Sequence, residues 1–313
     1  MNTLSKINML SKQELKRQKV FTKIKQHLPW WTKVAAKLVL GQFSLSYRRW
    51  QKLNLFRHGE MNSPGYALSI FESHVRRSNL KERLGGMTIL EIGPGDSIAT
   101  AIISKSLGAR AILVDVGFFA DKDLRPYFKL CELLRKRGLK PPELSSESTL
   151  EDILDACDSE YFVKGLASWK QISSGSVDFV FSQAVLEHIP KEEFLPTMQE
   201  CRRVMRAGSI GSHTVDLRDH LGEALNNLRF TEEIWESNLF ISSGFYTNRI
   251  RYSDMLELFK SASFIVELTE IRRWSKVPTN REKLALPFRN MPENELCIKG
   301  FDVCLRVPDS RQE

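Results

Sequence analysis

The chain contains 313 residues, 42% of them hydrophobic, and carries a formal net charge of +8. This length allows a substantial buried core, and no stretch approaches the roughly 18 consecutive apolar residues of a membrane-spanning helix. The five cysteines are odd in number and scattered, so we expect neither a disulfide framework nor a zinc site. The composition favours a reduced, cytoplasmic protein without a signal peptide.

The positive charge is concentrated near the N-terminus. Residues 1–60 contain 13 Lys or Arg and two acidic residues, a local charge of +11, so the other residues sum to −3. Because the body of the chain is slightly acidic, the high overall pI does not indicate a nucleic-acid partner. We interpret residues 1–60 as a basic helical extension and residues 61–313 as one folded domain.

Within the extension, residues 32–45 are predicted to form a helix with an apolar face, next to Trp30 and Trp31. Lysines and tryptophans beside an apolar stripe are typical of a helix at a membrane interface, where aromatic rings lie at the level of the lipid headgroups. The same pattern is typical of a helix that packs on the domain with its lysines in water. The sequence leaves peripheral membrane contact and packing open.

A strand–turn–helix–strand unit spans residues 87–117. Residues 88–92 are a short apolar run with β-branched side chains, typical of a strand buried in a parallel sheet, and Gly93-Pro94-Gly95 ends this strand. Asp96 or Ser97 can cap the helix that follows. Because glycines at such a turn let the backbone approach a ligand closely, the unit predicts a nucleotide-type cofactor.

Three side chains distinguish between the possible cofactors. Asp115 closes the second strand of the unit, about 20 residues after the glycine turn, where a carboxylate can bind both ribose hydroxyls. The dinucleotide fingerprint requires a third Gly or Ala where this chain has Ile98, which argues against NAD. Glu91 would repel a pyrophosphate but attract the cationic end of an amino-acid group, directly or through water. These residues favour S-adenosylmethionine.

With the motifs LEIGPGDS at residues 90–97 and VDFVFSQAVLEHI at residues 177–189, the sequence resembles the class I S-adenosylmethionine-dependent methyltransferases over residues 87–307. The resemblance implies an α/β fold with a Rossmann-like sheet of seven mostly parallel strands and helices on both faces. It also implies the residues that contact the cofactor, which are Glu91, Gly93, Gly95, Asp115, Ser182 and Gln183. Many relatives place an Asp after the third strand to bind the adenine amine; here Leu166 or a neighbour stands there, so a backbone carbonyl or Ser168 must take over.

The remaining elements alternate between strand and helix periodicity, which predicts right-handed crossovers in a parallel sheet. They are a helix at 121–137, strands at 161–163 and 176–182, a helix from Pro190 to Gly208, a strand at 209–215, a helix capped by Ser253-Asp254, and strands at 264–271 and 301–307. We divide the domain into a cofactor core (87–217), a substrate-cap insertion (218–252) and a C-terminal helix with strands (253–308).

Methyl transfer from a sulfonium is an in-line displacement, so the protein supplies alignment, desolvation and, for a hydroxyl nucleophile, a base. The base must lie at the carboxyl ends of the fourth and fifth strands, where we expect Asp216, His220 and His188 to face the substrate. A histidine in the position of His188 can also serve only to hold its loop. We assign no metal ligand, although the run His213-x-x-Asp216-x-x-Asp219-His220 leaves a divalent metal site open as an alternative.

The insertion is predicted to lie over the carboxyl edge of the sheet, where ligands bind in such folds. Its amide, guanidinium and aromatic groups suit a hydroxyl-rich ring. These groups belong to Asn226, Asn227, Arg229, Trp235, Tyr246, Asn248 and Arg249. We therefore expect O-methylation of a sugar, a glycolipid precursor or a related small molecule, at the inner face of a membrane if the acceptor is lipid-linked.

Three alternatives remain open at this stage. The polar residues of the insertion can form a satisfied network that only holds the insertion closed. The chain can be a noncatalytic regulator that binds S-adenosylmethionine, or an aminopropyl transferase that uses the decarboxylated cofactor.

Overall fold

The computed structural model describes residues 60–80 and 83–309, together with Trp31, Thr32 and Val34. The helices predicted for the basic extension therefore lie almost entirely outside the described residues. Thr32 and Val34 are helical, and the Val34 side chain is buried.

The first half of the described chain alternates between helices and strands. Its elements are α1 (Pro64–Arg77), β1 (Thr88–Ile92), α2 (Ala99–Ser106), β2 (Arg110–Val114), α3 (Arg125–Lys136), α4 (Leu150–Ala156), β3 (Glu160–Phe162), a 3₁₀ helix at Gly165–Gln171 and β4 (Val177–Gln183). Local sequence accounts for the first residues of two helices: Pro64 is compatible with the first turn of α1, and a capping box of Thr149 and Asp152 begins α4.

The second half contains longer strands and several short helices. Its elements are a 3₁₀ helix at Leu186–His188, α5 (Lys191–Val204), β5 (Met205–Asp216), a 3₁₀ helix at Asn226–Arg229, α6 (Glu232–Trp235), α7 (Asn238–Ile241), α8 (Tyr252–Ser261), β6 (Ile265–Arg273), 3₁₀ helices at Arg281–Lys283 and Phe288–Asn290, α9 (Glu293–Leu296) and β7 (Ile298–Arg306).

The seven strands form one sheet in the order β3-β2-β1-β4-β5-β7-β6. Strands β1 to β5 are parallel to their neighbours in this group, whereas β7 is antiparallel to both β5 and β6. The predicted Rossmann-like, mostly parallel sheet is confirmed. Because the chain order reverses between β1 and β4, the carboxyl ends of these two strands border the crevice where open α/β sheets bind ligands.

Hydrophobic side chains cover both faces of the sheet. Ile89 and Phe181 belong to a core cluster that α1, α2 and α3 complete, and Leu90 and Val180 belong to a second cluster with α5 and α8. Neighbouring residues of one strand thus enter opposite clusters, as the period-two geometry of a strand requires. Burial on both faces explains why the β1 and β4 sequences are almost continuously apolar.

The boundary between α5 and β5 differs from the prediction. Gly208 does not end the helix; it lies inside β5 with a positive φ of 75°. Strand β5 starts at Met205, which pairs with Val177, and the register shifts between Val177 and Phe179. Between these pairs β4 advances two residues and β5 advances five, so β5 carries an irregular stretch to which glycine is suited. The glycine that indicated a helix stop is therefore part of a strand irregularity.

Two predicted helix caps also differ. Helix α8 begins after Arg251, and Ser253 bonds to the Glu295 carboxylate, so a side chain from α9 satisfies this helix start. At α2 the N-cap position is Ile98 and neither predicted residue occupies it. The Ser97 hydroxyl nevertheless accepts a bond of 3.2 Å from the Ala99 N–H, close to the predicted role.

The insertion between β5 and α8 has a small hydrophobic cluster of its own. It comprises Val34, Leu221, Trp235, Phe240, Phe245 and Tyr246. One residue of the N-terminal extension thus packs on the insertion, in line with the packing interpretation at this point. Across the described ranges, no helix combines the length and the apolar character needed to cross a membrane.

Candidate active site at the carboxyl ends of β1, β2, β4 and β5

The glycine turn after β1 has the conformation that its sequence predicts. Gly93 and Gly95 both have positive φ values, of 70° and 64°. A Cβ atom at Gly93 would lie 2.6 Å from the Val185 Cγ atoms, so the loop after β4 packs directly on this turn. Glycine is thus required at position 93 for both its conformation and its lack of a side chain.

Asp115 lies beside this turn at the end of β2. One carboxylate oxygen accepts a hydrogen bond of 3.1 Å from the Gly95 N–H, and the other accepts one of 2.7 Å from the Val116 N–H. Burial raises the pKa of Asp115 to about 6, against the two backbone donors, which lower it. The predicted pairing of a glycine turn with a strand-end carboxylate is therefore present as a direct contact.

Glu91 is almost fully buried within β1, below the glycine turn. Its Oε2 atom has no hydrogen-bond partner among the described residues. Burial raises the pKa of Glu91 to about 8; the nearby Thr100 hydroxyl opposes this shift, and the Asp115 and Asp96 carboxylates add to it. A buried carboxyl oxygen without a partner fits a cationic group, such as the ammonium of an amino acid, which would favour the ionised carboxylate.

The two residues predicted from β4 point their side chains toward other parts of the protein. The Ser182 hydroxyl is fully buried and lies 2.8 Å from Nδ1 of His213 on β5. Gln183 Oε1 lies 3.1 Å from Nε2 of His74, a buried histidine of α1. A cofactor contact from Ser182 would therefore come from its main chain. Sequence reasoning did not find His74, because a histidine on an apolar helix face carries no signal of its partner.

Near the end of β3, Ser168 bonds to the main chain of its own loop. Its buried hydroxyl accepts a hydrogen bond of 2.9 Å from the Lys164 N–H. An apolar side chain that the sequence analysis did not single out, Val116, is 68% exposed directly after Asp115. The Val116 side chain is an apolar surface that a flat aromatic ring can cover. Its position directly after the strand-end carboxylate is the sequence signal that points to this role.

His188 and His220 form a pair at the carboxyl ends of β4 and β5. Their Nε2 atoms lie 3.0 Å apart, and the two rings are nearly parallel with centroids 4.8 Å apart. The other ring nitrogen of His188, Nδ1, lies 2.8 Å from the Tyr246 carbonyl oxygen. A carbonyl only accepts, so Nδ1 of His188 carries the proton. In the neutral pair, Nε2 of His188 then accepts from Nε2–H of His220, and the lone pair of His220 is on Nδ1.

Asp216, the third predicted catalytic residue, is held by Arg218. The Arg218 Nε and guanidinium nitrogens contact both oxygens of Asp216, at 2.8 to 3.2 Å. Burial alone would raise the pKa of Asp216, but the hydrogen bonds and charge of Arg218 outweigh it and the pKa lies below its usual value. Asp216 is therefore a weaker base than a free carboxylate, and the histidine pair is the better candidate.

A cleft of about 250 Å³ opens beside these groups. Five of its seven lining residues are charged or imidazole-bearing: Asp216, Arg218, Asp219, His220 and Glu223, with Leu221 and Gly222. Both His188 and His220 are exposed. Two of the three predicted catalytic side chains, Asp216 and His220, line this cleft. The third, His188, contacts His220.

Two of the four residues of the alternative metal site, His213 and Asp219, are held by hydrogen bonds to other protein groups. His213 is fully buried against Ser182, and burial, with the Arg77 charge nearby, lowers its pKa to about 3. Asp219 accepts from the backbone N–H groups of Leu221, Gly222 and Asn226. In the part of the chain that the structure describes, no group of three or more His, Cys, Asp or Glu side chains could hold a metal ion.

Most of the insertion residues that were expected to bind substrate form internal contacts. Asn227 and Trp235 donate to Thr247, and the Tyr246 hydroxyl donates to Glu236. Asn248 donates to the carbonyls of Leu186 and Ile189. The geometry thus matches the alternative of a polar network that holds the insertion against the loop containing His188.

Arg249 and Asn226 complete this network. The Arg249 guanidinium donates to the Phe230 carbonyl and the Glu232 carboxylate, and it lies over the Trp235 ring. Asn226 donates to Asp219 through its side chain and its backbone. Arg229, the seventh of these residues, is partly buried.

Comparison with protein families agrees with this geometry. Residues 145–211, from the loop before α4 into β5, match the family described as a methyltransferase domain. The chain carries a methyltransferase domain. Over these residues the match agrees with the predicted resemblance to the class I S-adenosylmethionine-dependent methyltransferases. The matched segment contains Ser182, Gln183 and His188, whereas the glycine turn and Asp115 precede it.

Solved structures with similar folds are distant in sequence. Phosphoethanolamine N-methyltransferase 2 of Haemonchus contortus is 15% identical, with 72% of this chain and 50% of that chain covered and a TM-score of 0.41. A methyltransferase of Archaeoglobus fulgidus is 12% identical (76% and 93% covered, TM-score 0.40), and one of Methanosarcina mazei is 16% identical (72% and 94%, 0.37). The chain spans about half the length of the Haemonchus protein. No curated protein sequence matches the chain.

Proposed function

We propose that the chain is an S-adenosylmethionine-dependent methyltransferase acting on a small molecule. The observation that carries this proposal is the contact between Asp115 and the Gly95 N–H, together with a buried Glu91 oxygen that has no hydrogen-bond partner among the described residues. In this arrangement Asp115 would hold the ribose hydroxyls, and Glu91 would attract the ammonium of the methionine part. The bound cofactor supplies an electrophilic methyl group on sulfur.

The histidine pair supports a hydroxyl group as the methyl acceptor. A hydroxyl is a poor nucleophile at neutral pH, so its methylation needs a base. His220 supplies it: hydrogen bonding to His188 orients the ring, and Nδ1 of the neutral ring takes the proton. The Tyr246 carbonyl in turn fixes the tautomer of His188. Asp216 stays ionised beside Arg218 and favours the imidazolium form that His220 reaches.

The finer substrate proposal is a hydroxyl of a sugar or of a glycolipid precursor. The polar residues of the insertion bond to one another and do not support this proposal. Its support is the polar lining of the cleft, where imidazole, guanidinium and carboxylate groups can bind several hydroxyls. A lipid-linked acceptor would also explain the basic, tryptophan-containing extension, which would hold the enzyme at the cytoplasmic face of a membrane.

Transfer of a labelled methyl group tests the reaction. The purified protein and methyl-labelled S-adenosylmethionine are incubated with a cell extract that is then separated into lipid, glycan, protein and small-molecule fractions. We expect label in the lipid or glycan fraction, and much less with His220→Ala. Label only in protein or in other small molecules would contradict the acceptor proposal, whereas cofactor binding without any transfer would indicate the noncatalytic regulator.

A further inference from the structure

A hydrogen-bonded chain of buried and half-buried polar groups runs from β7 to Gln183. The Arg77 guanidinium pairs with Asp302 of β7 and donates to the hydroxyls of Ser212 and Thr214. Arg77 also lies 3.3 Å from Nδ1 of His74. The polar groups lie on a sheet face that is covered mostly by apolar side chains, which is a costly arrangement unless every member has a partner.

The donors and acceptors in this chain can be assigned from chemistry alone. A guanidinium only donates, so the Ser212 oxygen and Nδ1 of His74 both accept from Arg77, and the Ser212 hydroxyl proton can be donated to the same Nδ1 at 2.9 Å. Nδ1 of His74 is therefore an acceptor, and Nε2 carries the ring proton. Burial and the charge of Arg77 lower the pKa of His74 to about 3, in keeping with a neutral ring.

The His74 tautomer then sets the orientation of the Gln183 amide. Nε2–H of His74 donates to Oε1 of Gln183 at 3.1 Å, so the amide nitrogen is the end turned away from His74. No described residue accepts from this nitrogen. Strand β4 pairs Ser182 with Ile92, so Gln183 lies at the level of Gly93, where the glycine turn begins.

We propose that His74 is a positioning residue for the cofactor: it fixes Gln183 so that the amide N–H group donates to an oxygen of bound S-adenosylmethionine. This inference rests on the proposed function and adds to it a residue from α1, outside both sequence motifs. Gln183→Glu keeps the acceptor for His74 but removes the outward donor, so it should weaken cofactor binding about tenfold or more.

A double-mutant cycle on the affinity for S-adenosylhomocysteine, measured by calorimetry on the full chain, tests the link. The cycle compares His74→Leu, Gln183→Ala and the double variant. If His74 acts through Gln183, His74→Leu weakens binding about tenfold in the wild-type background and has almost no effect when residue 183 is Ala. His74→Gln, which retains an N–H donor, should recover part of the affinity. His74→Asn serves in the same cycle if the Leu variant does not fold.

Phe71→Leu provides the matched control. Phe71 lies one turn earlier on α1, is equally buried and packs on the Phe181 ring, but its side chain takes no part in the hydrogen bonds that link Arg77, His74 and Gln183. Its substitution should lower thermal stability without any coupling to Gln183. Equal losses from His74→Leu in both backgrounds would overturn the proposal and make His74 a purely structural residue. A wild-type chain that binds no cofactor would instead refute the proposed function, and this inference with it.

Discussion

The charge state of Glu91 should change when the cofactor binds. Its pKa of about 8 means that most of its carboxyl is protonated at pH 7 before a ligand binds. An ammonium beside it favours the charged form, so cofactor binding at pH 7 should release a proton, and affinity should rise as the pH approaches 8. Calorimetry in two buffers with different ionisation enthalpies counts the protons.

Glu91→Gln gives the matched comparison for this count, because glutamine has the same shape and cannot ionise. We expect the variant to release fewer protons and to bind the cofactor less tightly. Identical binding enthalpies for the wild type in both buffers would show that no proton is released and would contradict the role assigned to Glu91.

Gly93 tests the requirement for a residue without a side chain at the turn. Gly175 has a similar positive φ of 59° but open space around it, so Gly175→Ala isolates the cost of the backbone conformation, about 1–2 kcal/mol. Gly93→Ala should lower the free energy of unfolding by more, because its Cβ also clashes with Val185. Adding Val185→Ala should recover the difference. Equal losses at both glycines in urea titrations would be inconsistent with this close packing.

Single elements differ in how far their sequence could predict them. The β1 and β4 strands and the glycine turn follow from local patterns, because burial on both faces requires continuous apolar runs. The start of β5 did not follow, since Gly208 indicates a helix end locally and becomes part of an irregular strand segment only through pairing with β4. His74 is a similar case: its role depends on Arg77 and Gln183, which a sequence pattern does not bring together.

The insertion is held to the loop after β4 by Asn248. Its amide donates to the carbonyls of Leu186 and Ile189, on either side of His188. Asn248→Ala should misplace His188 and lower kcat about tenfold or more, while the affinity for the cofactor changes little. Steady-state kinetics and calorimetry measure the two effects. Asn290→Ala, at an exposed position, is the control, and unchanged kcat in Asn248→Ala would argue against this coupling.

At the scale of the whole molecule, charge separates the basic extension from the acidic body. We expect the full chain to float with liposomes that contain anionic lipid, and less so as the salt concentration rises. Replacing Lys12, Lys16, Lys19, Lys23 and Lys25 by Gln should abolish flotation and leave cofactor affinity unchanged. Equal flotation of this variant, or none by the wild type, would favour packing of the extension on the insertion, where Val34 already lies.

The fold class of the whole molecule could be predicted from the sequence, because alternating strands and helices leave few ways to build a parallel sheet. The substrate could not be predicted in the same way. Polar residues such as Asn227 and Arg249 can hydrogen-bond either to a sugar or to other groups of the protein. Only the structure, which shows that they bond to Thr247 and to the Phe230 carbonyl, distinguishes the two roles.

Direct measurement of ligand binding tests the central claim, that the turn at Gly95 together with Asp115 binds S-adenosylmethionine. In calorimetry, the full chain should bind S-adenosylmethionine and S-adenosylhomocysteine but not NAD. Asp115→Ala and Gly95→Val should each weaken binding at least about tenfold, the first by removing the carboxylate and the second by blocking the close approach of the backbone. Tight binding of NAD, or unchanged affinity in Gly95→Val, would contradict this account.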